Sequence, residues 1–162
     1  MILVVTGTHP QQFNRLLEEV DRLVGNHTIK EPVLMQTGYS DYKPKNCKWF
    51  KFTGYDEMNS LLKKASIVIT HGGIGSVLMS VRMNKKTIVV PRMKKFKEHT
   101  NDHQLEIVKE LSRQRRIIPV YDISKLALSI ESAKSFKPVH VSKSYTIQTM
   151  ISEFLDKMEQ ML

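Results

Sequence analysis

His71-Gly72-Gly73-Ile74-Gly75-Ser76 brings an imidazole, three glycines and a hydroxyl together between an apolar run, Ser66 to Thr70, and a helical pattern carried by Val77, Leu78 and Val81. Glycines let the backbone approach a ligand closely and adopt positive φ. A helix N-terminus adds unpaired N–H groups and partial positive charge, worth about 0.3–1 kcal/mol to an anion and ~2 kcal/mol when partly buried. The loop therefore reads as a cradle for a diphosphate, with a plain strand-to-helix turn as the alternative. A second loop, Gly7-Thr8-His9, follows the apolar run Ile2 to Val5. An imidazole there could bind phosphate or act as an acid or base, a structural histidine being equally compatible. The third stretch runs from Pro91 to Gln104. Arg92, Lys94, Lys95, Lys97 and His99 precede a cluster that can donate and accept hydrogen bonds. Thr100 or Asn101 could cap a following helix, which leaves Asp102 and Gln104 to face a ligand rich in hydroxyls.

These three loops need a scaffold that puts them on one edge. Short apolar runs at Ile2–Val5, Pro32–Gln36, Trp49–Thr53, Ser66–Thr70, Thr87–Val90 and Ile117–Val120 alternate with helical patterns. Phe13, Leu16, Leu17, Val20, Leu23 and Val24 mark the first helix. Met58, Leu61, Leu62 and Ala65 mark the second, and Leu105, Val108 and Leu111 the last of this series. Continuous apolar strands alternating with helices predict an α/β, Rossmann-like parallel sheet covered on both faces. Ligands bind such sheets outside the carboxyl ends of the strands, where the loops after Val5, Gln36, Thr70 and Val90 fall. Residues 1–141 are read as one Rossmann-like, ligand-binding domain, with Lys134 to Lys143 as a joint. In residues 142–162, Ile147, Met150, Ile151, Phe154, Leu155, Met158 and Leu162 follow a helical period. That amphipathic helix packs on its own sheet or docks a partner. Cutting after Lys143 is expected to weaken partner association while donor binding survives.

Composition narrows the partners. The 162 residues carry a formal net charge of +9, with 41% hydrophobic and 25% charged residues, a globular mixture. The charge is uneven: residues 1–42 are net −2, 43–134 net +11 and 135–162 neutral. A basic middle suggests phosphate, nucleotide, nucleic acid or a membrane surface. Nucleic acid is disfavoured because Tyr39, Tyr42, Trp49 and Phe96 are too scattered in sequence to suggest a stacking platform. The lone Cys47 forms no internal disulfide and fits a reducing compartment. The apolar start lacks a basic n-region and a long h-region, and no apolar run approaches the roughly 20 residues that span a bilayer. A P-loop is absent, and so is the Gly-x-Gly-x-x-Gly fingerprint in the first loop. Strand two ends in Gln36-Thr37 rather than an acid for a nicotinamide ribose. His99 and His103 are four apart, but the His-Glu-x-x-His pattern is missing. No metal and no cofactor are expected.

Taken in order, Val5-Thr6-Gly7-Thr8-His9-Pro10-Gln11-Gln12-Phe13-Asn14-Arg15-Leu16, Gln36-Thr37-Gly38-Tyr39-Ser40, Thr70 to Ser76, Val90-Pro91-Arg92 and Glu98 to Glu106 resemble one family. It is the small catalytic subunit of bacterial two-component glycosyltransferases that build exopolysaccharide or capsule repeat units, similar to the C-terminal domain of glycosyltransferase family 28. The resemblance covers residues 1–120. It implies the C-terminal half of a GT-B fold, a UDP-sugar donor and metal-independent, inverting hexosyl transfer. It also implies a membrane-anchored subunit that supplies the other half and helps hold a polyprenyl-diphosphate-linked acceptor. The chain would then be cytoplasmic and peripheral at the inner face of the membrane through that partner. Carried over by motif, Gly7, Thr8 and His9 lie near the donor diphosphate. His71, Gly72, Gly73, Gly75 and Ser76 cradle the phosphates, and Asp102, His103 and Gln104 meet the transferred sugar. Arg92 or a lysine of its loop assists departure of UDP, and His9 is the candidate catalytic base unless the partner supplies one. Met79 stands where many relatives place an acid that grips the ribose. A non-catalytic nucleotide-sugar-binding accessory subunit and a basic nucleic-acid-binding domain are the rival readings.

Overall fold

The computed structural model describes residues 1–102, 104–142, 144–146, 148–149, 152–153 and 156. Six strands form one parallel sheet: β1 (Ile2–Val5), β2 (Val33–Gln36), β3 (Lys48–Phe50), β4 (Ile67–Thr70), β5 (Lys86–Val89) and β6 (Ile118–Pro119). Their order is β3-β2-β1-β4-β5-β6. The chain winds outward from β1 in one direction and from β4 in the other, so the crevice between β1 and β4 is the switch point where such sheets bind ligands. Val5 pairs with Thr70 and Ile69 with Ile88. This register brings the loops after β1, β4 and β5 to one edge.

Alternation along each strand distributes the core. Ile2 and Val4 of β1 and Ile67 and Ile69 of β4 join one buried cluster, while Leu3, Val5 and Val68 join another. The first face is covered by α1 (Asn14–Gly25), through Leu16, Leu17, Val20 and Leu23, and by α5 (Leu126–Ser135), through Leu126, Ile130 and Ala133. The second face is covered by α2 (Tyr55–Lys64), α3 (Ile74–Arg82) and α4 (Gln104–Arg113), through Leu62, Val77, Val81, Val108 and Leu111. Both faces are thus covered, as the apolar strands require.

Two expectations need correction. The strand expected at Trp49–Thr53 ends at Phe50, so Phe52-Thr53-Gly54 forms a further loop at the ligand edge. The joint expected at Lys134–Lys143 starts too early, because α5 runs to Ser135. This helix escapes a periodicity search. It is short and serine-rich, and only Leu126, Ile130 and Ala133 are buried along it. Ile147, Met150, Ile151, Phe154, Leu155, Met158 and Leu162 lie outside the described residues. Of the tail, Tyr145 is buried with Val108 and Leu111, its ring lies under the Arg116 guanidinium, and its hydroxyl bonds Arg116 and Glu153. Cutting after Lys143 therefore also removes a core residue; a cut after Thr149 retains it. Among the described residues no helix is long and apolar enough to cross a membrane.

Candidate donor-binding site

A cavity of about 360 Å³ opens beside the switch point. Its floor is the carboxyl end of β1 and the glycine loop after β4. The lining includes Gly7, Thr8, His71, Gly73, Gly75 and Ser76, which the sequence had singled out. It also includes Gln36, Thr53, Gly54, Tyr55, Met58 and Met79. The size suits a small ligand.

The start of α3 is left open by what the loop lacks. α3 begins after Gly73, which has no side chain to cap the helix, and no acidic residue occupies the first turn. The early amides of a helix have no intrahelical acceptor. Those of Ile74, Gly75 and Ser76 belong to residues that line the cavity. A Cβ added at Gly75 would meet nothing within 4 Å, so the approach is open. By contrast, α2 carries Asp56 and Glu57 in its own first turn.

His71 forms the wall between the two glycine loops. His71 is 7% exposed, and its ring sits where a Cβ on either Gly7 or Gly73 would go: 2.4 Å from Cε1 at Gly7 and 2.2 Å from Nε2 at Gly73. Gly7 also has φ +76°, a conformation costly for other residues. The His71 pKa is pushed down to about 4, first by burial and then by Arg92, while a hydrogen bond to the Val5 carbonyl pulls the other way. The ring is therefore neutral at pH 7. Unfolded, it titrates near 6.5, so the unfolded chain takes up the proton first. Its contribution to stability is complete above about pH 6.5 and is lost as the pH falls toward 4. The total is about 3 kcal/mol. Thermal unfolding from pH 7 to 4 should show wild type losing more stability than His71→Asn; parallel curves would contradict the assignment.

The family model for the glycosyltransferase family 28 C-terminal domain matches residues 1–161. The chain belongs to that family. The UDP-N-acetylglucosamine transferase subunit ALG13 of Yarrowia lipolytica is 30% identical over 101 residues, covering 62% of this chain and 45% of that protein. Its namesake in Mus musculus is 29% identical over 109 residues, covering 60% of this chain and 9% of that protein. The matches thus span less than half the length of these curated relatives. Among solved structures, the NMR structure of ALG13 has a TM-score of 0.62 at 16% identity, covering 95% of this chain and 93% of that one. The glycotransferase of kitacinnamycin has a TM-score of 0.55 at 12% identity, covering 99% of this chain and 38% of that one. Both share the fold.

Within this family 28 domain, Arg92 is a correction. It was expected at the donor, but its side chain is among the largest that are fully buried, at 1% exposure. One terminal nitrogen donates to the carbonyls of Gln11 and Gln12 at 2.9 Å and of Glu98 at 3.2 Å. The other donates to the Thr6 carbonyl at 2.8 Å. The guanidinium also lies 4.6 Å from the Phe13 ring centroid. A cation so enclosed positions loops rather than meeting phosphate. Burial lowers its pKa to about 10, while nearby Glu98 opposes the fall; it stays charged. Glu98 is itself buried and receives a two-pronged pair from Arg15 at 2.9 Å.

The remaining expected residues divide. Gln104 accepts the Arg92 N–H through Oε1 at 3.1 Å and packs against Gly72, whose added Cβ would lie 2.9 Å from the Gln104 Cβ. It supports the glycine loop from behind. Asp102 accepts the Lys94 N–H at 2.8 Å and pins that turn; it does not line the cavity. His103 lies outside the described residues. The His9 ring stacks on His99 with centroids 4.5 Å apart, joining the loops after β1 and β5. Its Nδ1 accepts the Gln11 N–H at 3.3 Å, so the lone pair a base requires is engaged. Burial, His99 and Arg92 all lower its pKa.

Sequence reasoning missed Gln36 as a support. Its Oε1 accepts the Gly7 N–H at 3.1 Å and its carbonyl accepts the Thr6 hydroxyl at 3.0 Å. A polar residue ending an apolar strand was the available signal. Thr53 was missed because it was assigned to a strand, and Met58 because it was read as part of a helix's apolar stripe. Among the described residues no cluster of His, Cys, Asp and Glu could hold a metal ion.

Proposed function

We propose that this chain is the donor-binding half of a two-subunit glycosyltransferase that takes a sugar from a UDP-sugar. The uncapped N-terminus of α3, opening on a cavity walled by His71, carries the reading. In this reading the amides of Ile74, Gly75 and Ser76 take the diphosphate, with the Ser76 hydroxyl beside them. Tyr55, Met58 and Met79 form an apolar wall for the nucleoside. Leaving-group charge grows on the phosphates as the glycosidic bond breaks, and preorganised helix amides stabilise it without a metal. The opposite half of the cleft and the general base belong to a membrane-anchored partner, consistent with the engaged lone pair of His9. The acceptor is a polyprenyl-diphosphate-linked sugar of exopolysaccharide or capsule synthesis, supported by the motif resemblance. UDP-N-acetylglucosamine is the donor to try first, since both curated relatives carry it in their names.

Calorimetric titration with UDP and UMP tests the donor site. The phosphate that UMP lacks meets the α3 amides, so UDP should bind about tenfold more tightly; equal affinities would refute the site. Transfer is tested by co-expression with the partner and a panel of UDP-sugars, the rival accessory reading predicting no turnover. A further consequence concerns pH. A diphosphate beside His71 stabilises its protonated ring and raises the pKa from about 4. Affinity for a UDP-sugar should therefore increase about tenfold from pH 7 to 5, with proton uptake visible in buffers of different ionisation enthalpy. A flat profile would mean that His71 does not touch the phosphates.

A further inference from the structure

The turn after β5 has properties that the donor site does not use. Lys94, Lys95, Phe96 and Lys97 are all exposed, and among the described residues none of the three lysines forms an ion pair with a carboxylate. A run of solvated lysines is commonly loose, but this one is built. Asp102 holds the Lys94 N–H, buried Glu98 holds the Met93 N–H at 3.1 Å, and the Gln12 amide holds the Phe96 carbonyl at 3.1 Å. The Phe96 ring is gripped by the cations of Arg15 at 4.7 Å and Lys95 at 4.9 Å, yet stays 41% exposed. Lys97 adopts φ +56°, where glycine would sit without strain; a charged side chain is displayed there instead. Asp122 has its pKa lowered by Ser124 first and then by Lys125 and Lys95. Phe96 also lines a surface depression with Arg15, Glu98 and Ile123.

We propose that Lys94, Lys95, Phe96 and Lys97 form a contact for the phosphate-bearing surface of an anionic lipid bilayer. Lysines meet headgroup phosphates while an aromatic ring enters the interface, a combination that membrane surfaces select. The turn shares the carboxyl edge with the donor cavity, so its docking turns that edge toward the plane in which a lipid-linked acceptor lies. Only this last consequence rests on the proposed function; lipid binding does not.

The test is flotation of the full chain with phosphatidylcholine vesicles and with vesicles containing about 30% phosphatidylglycerol, at low and physiological salt. Wild type should float only with the anionic vesicles. Each lysine near an anionic surface contributes about a fivefold factor in affinity. The combined variant Lys94→Gln, Lys95→Gln, Lys97→Gly should therefore bind about 100-fold more weakly. It retains the buried Arg15–Glu98 pair and removes the strain at residue 97, and UDP binding at wild-type affinity verifies its fold. Phe96→Ser alone should weaken binding about tenfold by removing the interfacial ring. A control with the same charge loss elsewhere, Lys30→Gln, Lys64→Gln, Lys109→Gln, should float like wild type. The proposal is overturned if the control falls as far as the turn variant, or if neutral vesicles bind equally well. It is also overturned if inorganic phosphate at constant ionic strength displaces the protein completely, which indicates a free-phosphate site, or if the chain binds single-stranded RNA and not vesicles. Lost UDP binding with intact flotation would sink the donor-site reading and leave this one standing.

Discussion

Gly73→Ala is expected to weaken UDP-sugar binding about 100-fold, equivalent to losing one or two hydrogen bonds to a charged group. Its backbone, at φ −71° and ψ 129°, is open to alanine. The obstacle is the His71 ring, whose Nε2 would lie 2.2 Å from the new methyl. The ring has no room to retreat, since Gly7 closes on its other side with a 2.4 Å approach for the equivalent methyl. Either His71 is expelled or the start of α3 shifts, and both disrupt the proposed anion cradle. The same overpacking should cost about 1–3 kcal/mol of stability. In a His71→Ala background that penalty should vanish, giving a large coupling in a double-mutant cycle. Additive effects measured by chemical denaturation would place the ring elsewhere.

Arg92→Ala should be the most destabilising single change, at about 3–5 kcal/mol. The side chain satisfies four carbonyls, from Thr6, Gln11, Gln12 and Glu98, and covers the Phe13 ring. Truncation removes the donor from all four, and those of Thr6 and Glu98 are buried. The melting temperature should fall by roughly 10 °C for a domain of this size. Arg92→Lys should recover only a fraction, because an ammonium offers three donors and no planar fork. Donor affinity, measured well below the melting point, should change far less than for Gly73→Ala. An Arg92→Ala protein of normal stability that had lost UDP binding would return this residue to the ligand.

The contrast between these residues explains what a sequence can disclose here. The strands were legible because a sheet covered on both faces demands near-unbroken apolar runs, and β1 and β4 are buried at every position, with only Thr70 polar. The glycine loop was legible because few other residues allow two backbones to close on one imidazole. The role of Arg92 was hidden because its partners are carbonyls, and every residue has one. Exposed lysines follow it at 94, 95 and 97, so it looked like a member of a charge run. Glu98 and Arg15 were hidden too, 83 positions apart yet paired between the first turn of α1 and the loop after β5. Asp102 was read as facing a ligand, but its acceptor is already used to pin the turn at Lys94. Such long-range assignments depend on the strand order, which brings the loops after β1 and β5 together around β4.

That the cavity at the switch point holds a nucleoside diphosphate is tested most directly by amide chemical-shift mapping during titration of the labelled chain with UDP. The largest changes should fall on the amides of Ile74, Gly75 and Ser76 and on the His71 ring, with Lys94 to Lys97 nearly unmoved. Saturable shifts centred on Lys94 to Lys97, with Ile74 to Ser76 undisturbed, would contradict it.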